Sequence, residues 1–206
     1  MTIWAIVPVK PLRLGKSRLS GVLNDDERAV LNRLFLENTL GILRKTPEIG
    51  QTLVVSRDPA ALAIAREYDA RTVLEDGNPD LNSALTRATI LARNYAKRGI
   101  LIIPADIPLI SQEDLRKLFT CADQGPCVVI TPDRHNDGTN ALLVAPGGII
   151  PYKYGPGSFQ RHCDLAKQAN ARLEVVYNHN LALDLDTPAD LQLLQTFDRF
   201  NSMVMQ

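Results

Sequence analysis

No excess of charge of either sign marks this 206-residue chain: 23 Lys and Arg balance 23 Asp and Glu, for a formal net charge of +0 at pH 7. General binders of nucleic acid or of anionic membrane surfaces rely on net positive charge, so the balance speaks against both. A local basic cluster could still hold a small polyanion. Cysteine is scarce and odd in number. Cys121, Cys127 and Cys163 lack zinc-type spacing and read as buried free thiols, which suit a reducing cytoplasm. No apolar run approaches the ~20 residues that a membrane-spanning helix needs. The chain opens on Met1-Thr2-Ile3-Trp4, with neither a basic stretch nor a cleavage site, so a cytoplasmic location is expected. The glycines form neither a Walker loop nor a dinucleotide fingerprint. His135, His162 and His179 share no ligand spacing with a cysteine or carboxylate, and read as surface or structural residues. No serine, histidine and aspartate constellation presents itself for acyl transfer.

What is present is an ordinary globular mix, 45% apolar and 22% charged, in a length that favours one domain over two. No internal repeat, low-complexity segment or linker divides it. A single domain over residues 1–200 is expected, with a frayed tail over 201–206. Ile3 to Val7 is a first strand, ended by Pro8. Val9 to Leu23 is a long irregular loop, of the kind that is usually functional. Asn24 with Glu27 forms a capping box before a helix with Leu31, Leu34, Phe35 and Ile42 on one face.

Thr52–Val55 is strand-like, Pro59–Tyr68 helical, and Arg71–Leu74 strand-like again. Asn78-Pro79 opens a helix whose apolar face comprises Leu81, Leu85, Ala88, Ala92 and Tyr95, closed by Gly99. Ile100–Ile103 is a fully buried strand. Ser111, with Asp114, caps a helix carrying Leu115, Leu118 and Phe119. Cys127–Thr131 and Asn140–Val144, joined by the turn Asn136-Asp137-Gly138, suggest an antiparallel excursion. A helix over Ser158–Ala169, a strand over Leu173–Tyr177, a strand-like stretch over Leu181–Leu185 broken by Asp184, and a last helix capped by Thr187-Pro188 complete the chain. The alternation predicts an α/β fold, a mostly parallel Rossmann-like sheet with an antiparallel excursion.

The residues able to do chemistry fall at strand ends. Asp106 lies in Pro104-Ala105-Asp106-Ile107-Pro108-Leu109, just past a buried strand, where ligands bind in open α/β sheets. It is either a turn-capping aspartate or a metal-binding carboxylate. A divalent ion would need a second carboxylate, and Asp184 and Asp186, two residues apart in an extended segment, share one face; the bland alternative is that Asp186 caps the last helix and Asp184 is solvated. Gly15 could free the first loop's backbone to approach a ligand, with Lys10, Lys16 and Arg18 around it, a combination that suits a triphosphate; a solvated basic loop is the bland alternative. Gly155 to Phe159 precedes a helix, so backbone N–H groups and the Ser158 hydroxyl could hold an anion, or Ser158 is simply a cap. Asn82 and Ser83 open a helix, where Asn82 could read a base edge or do no more than start the helix.

In order along the chain stand Pro8-Val9-Lys10, Lys16-Ser17-Arg18-Leu19, Leu81-Asn82-Ser83-Ala84-Leu85, Pro104 to Leu109, Gly138-Thr139-Asn140-Ala141-Leu142, Gly155 to Phe159, and Asp184-Leu185-Asp186-Thr187-Pro188. This series resembles the CofC/FbiD guanylyltransferases of coenzyme F-420 biosynthesis over nearly the whole chain. The related molybdenum-cofactor guanylyltransferases begin on Leu-Ala-Gly-Gly, which is absent here. The resemblance implies a nucleotidyltransferase fold and transfer of GMP from GTP to phosphoenolpyruvate, 2-phospho-L-lactate or 3-phosphoglycerate, releasing pyrophosphate. It also implies Mg2+ held by Asp106, Asp184 and Asp186, and an acceptor acid held by Thr139, Gly155 and Ser158. The nucleotide would lie on Pro8, Val9, Lys10, Lys16, Arg18, Asn82, Ser83 and Pro104, with Asp106, Lys16 and Arg18 catalytic. Beyond these small molecules no nucleic acid or membrane partner is expected, and a homodimer stays open. The rival readings are a nucleotidyltransferase acting on a sugar phosphate or molybdopterin, and a non-catalytic nucleotide-binding module.

Overall fold

The computed structural model describes residues 2–76, 80–122 and 125–205. Its elements run β1 (Ile3–Val9), α1 (Asp25–Arg44), β2 (Ile49–Ser56), α2 (Pro59–Glu67), β3 (Arg71–Leu74), α3 (Leu81–Ala92), β4 (Gly99–Ile102), α4 (Gln112–Cys121), β5 (Cys127–Pro132), β6 (Thr139–Ala145), α5 (Ser158–Gln168), β7 (Arg172–Val175), α6 (His179–Ala182), α7 (Pro188–Leu194) and α8 (Asp198–Val204). The strands form one sheet in the order β3-β2-β1-β4-β6-β5-β7. Only β6 runs against the others, antiparallel to both β4 and β5, so the expected excursion is present.

Alternation along the strands divides the core. Ile3, Ala5, Val7, Leu101, Ile103, Val129 and Leu143 pack beneath α1, α2 and α4, while Trp4, Ile6, Ile100, Ile102, Val128, Ile130 and Val144 pack beneath α3 and α5. Burial on both faces explains why these strands are near-continuous apolar runs. Gly99 belongs to β4 and does not close the preceding helix. A Cβ there would stand 2.9 Å from the Val144 carbonyl oxygen of β6, so only glycine lets the strands close.

Four boundaries depart from expectation. Pro8 does not end β1, which pairs with β2 as far as Val9↔Ser56. The Ile6 carbonyl accepts from Ile103 N–H, so Pro8, two residues on, turns its missing donor toward the same side. There the β4 ladder has already stopped at Ile102. Leu181–Leu185 is not a strand: it begins in α6 and continues as irregular chain. On α3, Leu81 is exposed, and Tyr95 lies beyond the helix, stacked 5.4 Å from Trp4. The tail is helical through Val204, not frayed from Asn201, because Phe200 is buried against Phe35, Leu31 and Leu194. Asn78-Pro79 lies outside the described residues; the side chain capping α3 is Asp80. No described helix is long and apolar enough to cross a membrane.

β1 lies between β2 and β4, and the chain winds outward from it in both directions. The crevice between the carboxyl ends of β1 and β4 is therefore the topological switch point, where such sheets bind ligands. Because β6 is reversed, its amino-terminal residue Thr139 reaches the same edge.

Candidate active site

A third apolar cluster builds this edge. Leu19 from the first loop, Leu31 and Phe35 from α1, Leu109 from the loop after β4, Leu183 and Leu185, Leu194 of α7 and Phe200 of α8 are all buried together. Their polar chain neighbours are thereby aimed at the crevice. In Leu183-Asp184-Leu185-Asp186 the leucines face this cluster, and extended geometry sends the intervening aspartates the other way. Leu185 N–H donates to the Asp106 carbonyl at 3.1 Å, a contact that joins the two acid-bearing segments. α1 supports the loop after β4 from behind, where Thr39 Oγ1 donates to the Ala105 carbonyl at 3.2 Å and Asn38 to the Pro108 carbonyl at 3.3 Å.

Burial and then the neighbouring charge of Asp106, with a smaller push from Asp186, raise the Asp184 pKa to about 6 against a hydrogen bond from Asn140. Asn140 Nδ2 donates both to Asp184 Oδ1, at 3.1 Å, and to the Leu181 carbonyl, at 3.0 Å. Asp190, on α7, accepts from the N–H groups of Asp186 and Thr187 and pairs with Arg134. It fixes the far end of the acidic segment. Of the three predicted aspartates, Asp184 thus lies within electrostatic reach of both Asp106 and Asp186. Among the described residues, however, no group of three or more His, Cys, Asp and Glu is gathered tightly enough to enclose a metal ion.

Lys16 stands otherwise than a phosphate ligand would. Its side chain is 4% exposed, and its ammonium donates to the Leu185 carbonyl, lies 3.5 Å from Asp106 Oδ2 and sits over the Phe35 ring. Its backbone adopts the left-handed conformation, φ 56°, uncommon outside glycine. Gly15 also serves packing in this structure, since a Cβ would come 2.7 Å from the Asn32 amide nitrogen that holds the Leu12 carbonyl. Arg13 pairs with Asp26. Lys10 and Arg18 are exposed, and no ion pair engages them among the described residues.

On the other flank, Asn82 grips the backbone of Tyr154, accepting from its N–H at 2.7 Å and donating to its carbonyl at 3.4 Å. Ser83 donates to Asp80, the α3 cap. Asn82 therefore ties α3 to the 151–157 segment. Gly155 and Gly157 both have positive φ, 118° and 73°, a path that side chains resist. The loop is pinned by Asp137, which accepts from Gly157 N–H at 3.1 Å, and by Arg161, which donates to the carbonyls of Lys153 and Gly155. Ser158 is buried and donates to Thr139 Oγ1 at 3.2 Å. Pro8 and Val9 end β1 beside Pro104 at the crevice, all three partly buried.

Sequence reasoning missed Asn140, Asp190 and His162 as site-building residues. His162 had a legible signal, because it follows Ser158 by four residues and so shares its helix face. Asn140 and Asp190 act through contacts 44 residues away and through a cap shared with an ion pair, which no local pattern announces.

An open α/β sheet with one reversed strand, with cations in the loop after β1 and a carboxylate in the loop after β4 at the switch point, is the fold of the nucleotidyltransferases. A protein of Desulfovibrio desulfuricans assigned to the nucleotide-diphospho-sugar transferases superposes with a TM-score of 0.76, covering 100% of this chain and 95% of its own, at 17% identity. That is a likeness of fold. The family model described as "Guanylyl transferase CofC like" matches residues 3–197, and the chain belongs to that family. It is 42% identical over 95% of its length to the phosphoenolpyruvate guanylyltransferase of Rubrobacter xylanophilus, covering 94% of it. It is 30% identical over 92% to the 2-phospho-L-lactate guanylyltransferase of Methanobrevibacter smithii, covering 82% of that protein.

Proposed function

We propose that this guanylyltransferase acts in coenzyme F-420 biosynthesis and transfers GMP from GTP to phosphoenolpyruvate. The acceptor phosphate, a dianion near neutral pH, attacks the α-phosphorus of GTP. The bond from that phosphorus to the β-phosphate's bridging oxygen breaks, and pyrophosphate leaves. No general base is required, because a phosphate monoester has its second pKa at about 6. The difficulty is to bring two polyanions together, which positioning and electrostatics address.

The observation that supports this reading is the Leu185–Asp106 backbone contact, which brings the segment bearing Asp184 and Asp186 up to the loop bearing Asp106, close enough for the Asp106 charge to act on Asp184. The donor set is all carboxylate oxygen, which suits a hard cation such as Mg2+. The cost of ionising Asp184 here is what a cation would relieve. Asp106, Asp184 and Asp186 would hold it, and its chemistry would be to neutralise phosphate charge and polarise the α-phosphoryl group. Lys10 and Arg18 would meet the triphosphate, and Lys16 would hold the acids in place. Thr139, Ser158 and the Gly155 backbone would take the acceptor. The Rubrobacter relative supports phosphoenolpyruvate over 2-phospho-L-lactate by its higher identity.

The test is incubation with GTP, Mg2+ and each of phosphoenolpyruvate, 2-phospho-L-lactate and 3-phosphoglycerate, followed by product mass and pyrophosphate release. A guanylylated phosphoenolpyruvate, formed fastest, is expected. Asp106→Asn should abolish turnover with little change in thermal stability. Turnover confined to CTP or UTP with a sugar phosphate would overturn the reading.

A further inference from the structure

From the hydrogen bonds around β6 and α5 we infer that His162 is a positioning residue that turns the Thr139–Ser158 hydroxyl pair into a net hydrogen-bond donor toward the acceptor's anionic group. The inference rests on the placement of the acceptor at Thr139 and Ser158 proposed above, and adds the residue that sets their polarity.

His162 is fully buried on α5, and both ring nitrogens are engaged. Nε2 lies 3.0 Å from the backbone nitrogen of Lys153, and Nδ1 lies 3.0 Å from Thr139 Oγ1. A backbone N–H can only donate, so Nε2 must be the unprotonated acceptor. Burial, with the charge of Arg161 adding to it, depresses the imidazole pKa to about 4, so the ring carries one proton at neutral pH. That proton is on Nδ1, and Nδ1–H donates to Thr139.

The consequence follows from counting protons. Thr139 and Ser158 together own two hydroxyl protons, and the bond between them, at 3.2 Å, consumes one. Among the described residues neither hydroxyl has any further partner, and His162 takes none because it donates. One hydroxyl proton is left over for a ligand. Were the ring the other tautomer, Nδ1 would accept from Thr139, Ser158 would donate to Thr139, and no proton would remain. The pair would then present only lone pairs to an anion and repel it. Lys153 N–H thus fixes the tautomer, and the tautomer fixes the sign of the site. Tyr154, edge-on to the ring at 4.9 Å, and the Arg161 clamp on the Lys153 and Gly155 carbonyls hold that backbone in place.

Two measurements test this. In the intact protein labelled with 15N-histidine, the long-range proton–nitrogen spectrum should show His162 protonated at Nδ1 and bare at Nε2; the reverse assignment overturns the inference. In kinetics, His162→Gln keeps an acceptor for Lys153 but loses the donor to Thr139. It should raise the KM for phosphoenolpyruvate about tenfold or more while leaving that for GTP within about twofold. His162→Asn, whose amide nitrogen falls near Nδ1, should bring the acceptor KM back to within about threefold. Equal effects of the two variants, or equal shifts of both KM values, would reduce His162 to a structural role and overturn the inference. Thr139→Val separates the levels: if it spares the acceptor KM, the placement of the acceptor itself fails. If it raises that KM while His162→Gln does not, only the inference about His162 fails.

Discussion

The ammonium of Lys16 donates to the carbonyl of Leu185, 169 residues further along the chain. One buried cation therefore joins the loop after β1 to the acidic segment, and it reaches Asp106 as well. In this structure the loop lysine expected to clasp phosphate ties the two halves of the crevice together.

Replacing Lys16 by Met keeps most of the aliphatic stem and removes the charge. It leaves the Leu185 carbonyl unpaired and Asp106 and Asp184 repelling without compensation. A loss of about 2 kcal/mol in urea unfolding is expected, with kcat falling by two orders of magnitude or more. Arg should not restore either, because the Lys16 side chain is only 4% exposed and a planar guanidinium does not reproduce the compact ammonium that it would replace. Unchanged stability with only a raised KM for GTP would show Lys16 to be a phosphate ligand instead.

The acidic cluster should show itself in the pH dependence of stability. The folded pKa of Asp184, about 6, lies above its ordinary value of 3.8. Folding then favours the protonated form, so the full stability is present below pH 4 and is lost as pH rises through 6. The loss is about 3 kcal/mol at neutral pH. In chelator, the wild-type protein should lose stability relative to Asp184→Asn between pH 4.5 and 7.5, so that the inactive variant is the more stable one at pH 7.5. Added Mg2+ should raise the melting temperature of the wild type more than that of the variant. Parallel stability curves for the two proteins in chelator would refute the assigned environment.

Gly15 allows a packing test. A methyl group there displaces the Asn32 amide and costs its bond to the Leu12 carbonyl. Gly15→Ala should destabilise by about 1 kcal/mol, and Asn32→Ala by a similar amount. The double variant should fall short of their sum, because both remove the same bond. Strict additivity would mean that glycine is needed at position 15 for some other reason.

How much of this was legible follows from range. The strands after which function sits, the α1 capping box and the loop bearing Asp106 are local patterns, and each was visible in the residues themselves. So was the shared face of Asp184 and Asp186, because a period of two needs only neighbours. The direction in which a side chain turns was not legible. Lys16 goes inward because Leu19, Phe35 and Leu185 meet beneath it, and Asn82 grips Tyr154 72 residues away. Pro8 misled for the same reason, since a missing donor matters only if a partner strand still runs beside it.

The distinction between a buried tie and solvent-facing cations yields a last prediction. Lys10 and Arg18 are exposed, and no ion pair engages either among the described residues, so neither should matter for folding. Lys10→Ala and Arg18→Ala should each leave the melting temperature within about a degree, in keeping with exposed sites away from packed features. Each should raise the KM for GTP several-fold and weaken its dependence on ionic strength, since an exposed charge acting on a polyanion is screened by salt. Lys16→Met should show the opposite profile, with stability and kcat affected and the salt dependence of the GTP KM retained. Measuring KM for GTP at about 0.05 and 0.5 M salt across the three variants separates the roles. If Lys10→Ala and Arg18→Ala leave both the KM and its salt dependence untouched, the triphosphate does not lie over the β1 loop.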